Sequence, residues 1–442
     1  MTIKTKNTIY SYSIIILTVV MIILRFLLNE KGRINPDSIR FMRFAHNLPI
    51  IDNTTTPTFY PLSIKLVSFI GIDMFWSSKI VGILSYIFII FFAWKKKFYF
   101  RETLILCALF SFVSLFSSTM SEPLFLTFLF FYFYISIKIL RGEFQFYQGI
   151  FWLTMGLLLL YNTRYTGLFY IGATGLFGFL HFKKSFGKIF MISAGVGVLY
   201  YILYKILFID YFNPEYIKEA LEIGIHPTSK LLDELWKGLA TSFNPFIHIS
   251  NPSGGILNYG IYGIGILNIA LILFLFLKHK LNLEEQFLVF AGVFGIIASF
   301  FTQYFYSLTP LDYRLLGPFT FPIWLVYLKK LYALLQKKTY ILAYLSLITG
   351  FIFTYLSKGD YLENRKAAKK FLTEEKLLNK PIEFYSKPND LDLNFIQVAE
   401  LLSTVNSDLN IVHKPQDTLT KKEILTKYRV ESKMKIIKNK YQ

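Results

Sequence analysis

The sequence predicts an all-α polytopic membrane protein with about eleven transmembrane helices and a small exoplasmic C-terminal α/β lobe. Composition is the first observation behind this: 54% of the 442 residues are apolar and only 17% are charged, where soluble domains carry about a quarter. Mean hydropathy is +0.45, which excludes an ordinary water-soluble fold. The second is the recurrence of long apolar runs, at 9–28, 74–94, 103–119, 122–140, 146–162, 165–182, 188–209, 258–277, 287–304, 317–336 and 339–357. The third is the alternation of charge between them. Lys4 with Lys6, Lys95–Lys97 with Arg101, Lys138 with Arg141, Lys183, Lys184 and Lys188, Lys278 with Lys280, and Lys329, Lys330, Lys337 and Lys338 fall in every second connection. The short connections between them hold almost none: 117–123 has no Lys or Arg, 162–165 has only Arg164 and 305–316 only Arg314.

Basic residues collect in cytoplasmic loops. The formal net charge of +19 is therefore an orientation signal and not a nucleic-acid footprint. It predicts a multi-pass protein of the plasma (inner) membrane with a cytoplasmic N-terminus and an exoplasmic C-terminus. The first 28 residues read as an uncleaved first span, because no small-residue cleavage pattern follows them. Cys107 is the sole cysteine, so no intrachain disulfide or thiolate metal site can form, and no histidines pair at i, i+4.

Three segments are expected outside the membrane. Residues 29–73 contain a short apolar stretch from Tyr60 to Ile72, interrupted by Lys65, that reads as a helix lying along the interface. The 210–257 loop is net acidic, with Glu215, Glu219, Glu222, Asp233 and Glu234. The tail from 358 carries apparent strands at Ile382–Tyr385 and Leu409–Val412 around a helix at 393–405. Two domains are expected, a membrane domain over 1–357 and an exoplasmic one over 358–442. Glycines at 172, 175, 178, 260, 263 and 265 read as close-packing positions of neighbouring helices.

The chemistry-bearing residues sit on the outer side of this topology. Asn35-Pro36-Asp37 reads as an N-cap, a first helical proline and an acid in the first turn. Asp37 there either complements the helix dipole or takes a proton from an acceptor hydroxyl at the membrane boundary; the residues alone allow both. Glu122, before Pro123, has the same two readings. Arg164 and Arg314 are isolated cations where the positive-inside rule disfavours them. They snorkel to the interface or bind phosphate with forked donors. Arg40 shares the face of Asp37, and Tyr60, Asn162 and Tyr313 are candidates to line a site.

The order of these motifs resembles the GT-C superfamily of membrane glycosyltransferases, in particular its protein-mannosyltransferase and aminoarabinose-transferase-like branch. The resemblance rests on Arg25 ending the first span and on Pro36-Asp37-Ser38 opening a helix that runs to Ala45 and Leu48. Phe59-Tyr60-Pro61-Leu62, Ser121-Glu122-Pro123-Leu124-Phe125, Thr163-Arg164 and Asp312-Tyr313-Arg314-Leu315-Leu316-Gly317-Pro318 follow in order. Where the family often has a second acid after the first, this chain has Ser38.

What the resemblance implies is an integral-membrane, inverting glycosyltransferase that uses a polyprenyl-phosphate-linked sugar on the exoplasmic face. Its acceptor would be a lipid, a glycan or a protein. Asp37 and Glu122 would be the catalytic carboxylates, and Arg164, Arg314, Arg40, Tyr60, Asn162 and Tyr313 would bind substrate. No metal ligand is assigned, and dependence on a divalent cation stays open. Two other classes remain, a lipid-linked polysaccharide polymerase or ligase and a secondary transporter. The gathering of polar residues at one membrane face speaks against the transporter.

Overall fold

The computed structural model describes residues 3–51, 56–213, 227–248, 255–306, 311–386, 393–412 and 424–438. Its helices are α1 (Ile3–Leu27), α2 (Pro36–Asn47), α3 (Phe59–Ser68), α4 (Met74–Lys96), α5 (Phe100–Cys107), α6 (Phe110–Ser117), α7 (Glu122–Leu140), α8 (Phe146–Thr163), α9 (Gly167–Leu180) and α10 (Ser185–Tyr204). After these come α11 (Thr228–Ser242), α12 (Ile256–Lys278), α13 (Leu283–Phe305), α14 (Tyr313–Leu335), α15 (Tyr340–Leu356) and α16 (Tyr361–Glu374). Strand β1 (Ile382–Tyr385), α17 (Leu393–Ser403), β2 (Leu409–Val412), β3 (Ile424–Leu425) and α18 (Lys427–Glu431) complete the chain. Glu215, Glu219 and Glu222 of the acidic loop lie outside the described residues.

Each of the eleven apolar runs coincides with helix, yet the count of eleven spans is not reproduced. Among the described residues seven helical segments are long and apolar enough to cross a bilayer, or eight if a bent pair counts as one. The pair is α5 and α6, which meet at 75°. A break inside a membrane frees backbone groups that need a polar partner. Here the Phe110 N–H donates to Ser346 Oγ at 2.8 Å, and that hydroxyl donates to the Pro245 carbonyl. Helix α9 has only 14 residues, short of a full crossing.

Helices α14 and α15 form one helical run of 44 residues, Tyr313–Leu356. Straight, it would be about 66 Å long, twice a hydrocarbon core. It reverses instead. Gln336 takes a left-handed φ of 49°, Trp324 Nε1 donates to Ser242 O, and Ser346 donates to Pro245 O. Residues on both sides of the turn thus reach the same short stretch.

The chain forms two compact units drawn from interleaved segments. The first comprises Met1–Thr18, Ser85–Leu115 and Glu122–Gly350; the second comprises Val19–Leu84, Phe116–Ser121 and Phe351–Gln442. In the first, the basic connections gather at one end. Arg141 makes a forked pair with Glu284 at 2.7 and 2.9 Å, while Lys329 and Lys330 each reach Glu285 at 2.7 Å. The Arg101 guanidinium stacks 3.9 Å over the Tyr332 ring. Close packing explains some of the expected glycines. A Cβ at Gly178 would meet the Gly187 carbonyl at 2.8 Å, and one at Gly265 would meet the Ala240 carbonyl at 1.9 Å. Gly260 and Gly263 are a correction: nothing lies within 4 Å of a Cβ there, because they sit on the outward face of α12.

In the second unit, β1 is the centre of a parallel sheet of order β2-β1-β3, with Ile382 opposite Leu409 and Glu383 opposite Ile424. Strands of two to four residues are not stable alone; buried Phe371 and Leu372 of α16 and Val398 and Leu402 of α17 supply the apolar layer. The first loop is tied to the tail. Gly359 N–H donates to Leu28 O at 2.7 Å, Asn364 Nδ2 to Glu30 O at 2.8 Å, and Lys31 pairs with Glu400. Helix α3 buries Tyr60 and Ile64 and exposes Leu62 and Leu66, the amphipathic pattern of an interfacial helix.

Candidate functional site

The site in the first unit is built on three helix ends. Glu122 opens α7, where the positive end of the helix dipole favours a carboxylate, and it is fully buried. Arg164 caps the C-terminus of α8, where the dipole favours a cation. Its Nη1 lies 2.7 Å from Glu122 Oε1. Arg314 is the second residue of α14, an unfavourable place for a cation by dipole alone. Glu122 Oε1 compensates, 3.8 Å from its Nε. The two guanidiniums are only 14% and 19% exposed, so water screens the pairs weakly.

Asp312 holds the start of α14 by accepting from the N–H groups of Arg314 and Leu315, both at 3.0 Å. Burial pushes its carboxyl above the usual range, with the charge of Glu122 adding to the effect, against the pull of Arg314. The two guanidiniums and the carboxyl groups of Glu122 and Asp312 thus form one largely buried charge cluster. Tyr313, the first residue of α14, has its ring centroid 4.1 Å from that of His248. His248 is buried and meets Phe110 on its other side, at 4.6 Å.

Three of the expected residues, Glu122, Arg164 and Arg314, therefore come together, while Tyr313, next to Arg314 in the chain, packs against His248. Asn162 is close in sequence, but its amide is engaged elsewhere: Nδ2 donates to Leu158 O and Oδ1 accepts from the Tyr200 hydroxyl, both at 2.8 Å. Asp312 and His248 were not among the expected site residues. Asp312 carried a signal as an acid two residues before the isolated arginine, whereas His248 has no local signature.

Asp37, Arg40 and Tyr60 belong to the second unit. Ser38 explains the missing second acid: its Oγ accepts the Asn35 N–H at 3.0 Å, the return half of a capping box that a glutamate often fills. Asp37 projects from the first turn and pairs with Arg40 at 3.2 Å, its side chain 39% exposed. Tyr60 is buried edge-on against Phe41, centroids 5.0 Å apart. Sequence reasoning also passed over Lys79, a buried amine in α4 that donates to Ser117 O at 2.9 Å, beside a 2.7 Å bond between Ser78 and Thr119. Among the described residues, no group of three or more His, Cys, Asp or Glu side chains is placed to hold a metal ion.

No family model and no curated protein sequence matches the chain. Among solved structures it is similar to the oligosaccharyltransferase of Archaeoglobus fulgidus tethered to an acceptor peptide. The identity is 12% and the TM-score 0.48, over 92% of this chain and 64% of that one. It is also similar to ArnT from Cupriavidus metallidurans bound to undecaprenyl phosphate, at 10% identity and a TM-score of 0.43, over 94% and 87%. The chain thus spans less than two thirds of the oligosaccharyltransferase. These solved structures belong to the GT-C superfamily, which the sequence motifs also resemble. At such identities and scores they are no basis for assigning chemistry, which has to come from this chain's own residues.

Proposed function

We propose that this multi-pass membrane protein is a glycosyltransferase of the GT-C type that moves a sugar from a polyprenyl-phosphate donor to an acceptor on the exoplasmic face, with inversion. The observation that carries the proposal is the convergence of Arg164 and Arg314 on the buried Glu122, at turns that charge alternation assigns to the outer side. The acceptor oxygen attacks the anomeric carbon as the bond to the phosphate oxygen breaks, and the acceptor's proton passes to the carboxylate of Asp37. The phosphate leaves with added negative charge. Arg164 and Arg314 stabilise it, an electrostatic contribution that is usually the largest in such catalysis. Glu122 acts through these arginines as a positioning residue, since its charge is committed to them. Undecaprenyl phosphate is the preferred donor lipid, because the low ratio of arginine to lysine and the abundant Ile, Phe and Asn fit an AT-rich bacterial genome.

The test is transfer of labelled sugar from polyprenyl-phosphate donors in vesicles holding the full chain. Asp37→Asn is expected to lose about 10²–10⁴-fold in rate. A variant that keeps more than about a tenth of the activity removes Asp37 as the base.

A further inference from the structure

Two adjoining cavities lie at the end of the first unit where the basic turns gather, the end opposite Glu122 along α7. One is an apolar groove of about 550 Å³ that includes Tyr12, Ile87, Ile90 and Phe91. The other, of about 760 Å³, is polar and includes Lys96, Lys97, Tyr99 and Lys138. Trp94, Phe100 and Arg101 line both, so the apolar and charged compartments are continuous. Tyr12, Ile87, Phe91 and Trp94 are exposed, as side chains facing lipid would be.

The charges are unevenly matched. Lys138 pairs with Glu143, Arg141 with Glu284, and Lys329 and Lys330 with Glu285. Arg101 is 3.8 Å from Glu102. Lys96 and Lys97, both exposed, make no ion pair among the described residues. They stand on a turn in which Lys97 and Tyr99 both adopt left-handed φ, 51° and 47°, a conformation non-glycine residues adopt at a cost. The Tyr99 hydroxyl is buried with no hydrogen-bond partner among the described residues.

We infer that this pair of cavities binds an anionic phospholipid from the leaflet on that side. An acyl chain would run along the groove past Ile87 and Phe91, and the phosphate would rest between Arg101, Lys96 and Lys97. Charge complementarity selects this occupant. A zwitterionic lipid fills the groove equally well but brings its own cation to the two unmatched lysines, and a free phosphate leaves the groove empty.

Trp94, shared by both compartments, is the reporter. The full chain is placed in phosphatidylcholine vesicles containing a minor fraction of phosphatidylglycerol brominated on its acyl chains, or the same fraction of brominated phosphatidylcholine. Emission lost in Trp94→Phe isolates the signal of Trp94. The brominated phosphatidylglycerol is expected to half-quench it at a roughly 30-fold lower mole fraction, as expected for two cations at a membrane surface. Lys96→Ala/Lys97→Ala should abolish that preference, and Lys183→Ala/Lys184→Ala, at another basic turn, should leave it intact. Equal quenching by the two lipids overturns the proposal. So does an equal loss in both double variants, which would mean diffuse attraction of anionic lipid to a basic surface.

Discussion

Glu122 Oε1 lies 2.7 Å from Nη1 of Arg164 and 3.8 Å from Nε of Arg314, and no solvent reaches it. One buried carboxylate thus fixes two guanidiniums brought from distant turns of the chain. The arrangement fits a site whose ligand is an anion. Glu122 holds both guanidiniums in place, and Asp312 adds its own electrostatic pull on Arg314 from the start of α14.

Removing that acid should unfold the site before it alters the chemistry. Glu122→Gln leaves two poorly solvated guanidiniums facing an amide. Breaking a buried pair in this way costs about 3–5 kcal/mol, and the partial exposure of the arginines places the loss at the lower end. Thermal unfolding of the detergent-solubilised protein should show a clear downward shift, with Glu122→Asp intermediate. An unchanged unfolding temperature would mean the pairs hold nothing together.

Asp37 should behave in the opposite way. Its pair with Arg40 is half-exposed, and such surface pairs contribute about 0–1 kcal/mol. Asp37→Asn should therefore unfold with the wild type in the same scan while transfer activity falls. A variant that loses stability and activity together would make the acid a structural one.

The break between α5 and α6 depends on a residue far along the chain. Ser346→Ala leaves the Phe110 N–H without its acceptor, a buried donor whose loss costs about 1–3 kcal/mol. Hydrogen exchange should quicken around 108–112, and Ser346→Thr should restore protection where its hydroxyl keeps the same geometry.

The lobe should weaken in acid. Lys433 and Arg429 hold the Glu375 carboxyl below its ordinary 4.5. A depressed native value means the stabilisation is present above the unfolded value and is lost as pH falls through the lowered one. The pair is near the surface, so the effect is about 1 kcal/mol or less. Glu375→Gln should flatten the acid limb of a denaturation series followed by a probe in the lobe.

Much of this architecture was legible in the sequence because membrane solvation writes long apolar runs and alternating charge. Strands Ile382–Tyr385 and Leu409–Val412 were also legible, whereas Ile424–Leu425 is too short to show a period. The bend within 103–119 was not legible: it holds no proline or glycine and depends on Ser346, a tertiary partner. Nor was the interleaving of the two units, since the contacts of Gly359 with Leu28 and of Lys31 with Glu400 leave no local pattern. Within the site, Arg164 and Arg314 stood out as cations on the wrong side of a charge rule. Lys79 offered a similar signal, a charge inside an apolar run, but its partner is a backbone carbonyl that no motif announces.

The most direct measurement is binding of undecaprenyl phosphate to the purified full chain, compared with Arg164→Ala/Arg314→Ala. Each guanidinium–phosphate contact is of the charge-assisted kind, about 1.5–3 kcal/mol, so the double variant should bind at least about 100-fold more weakly, and lysine replacements should recover only part of this because a point charge lacks the fork. Equal affinity in a folded double variant would contradict the assignment of these arginines to a lipid phosphate.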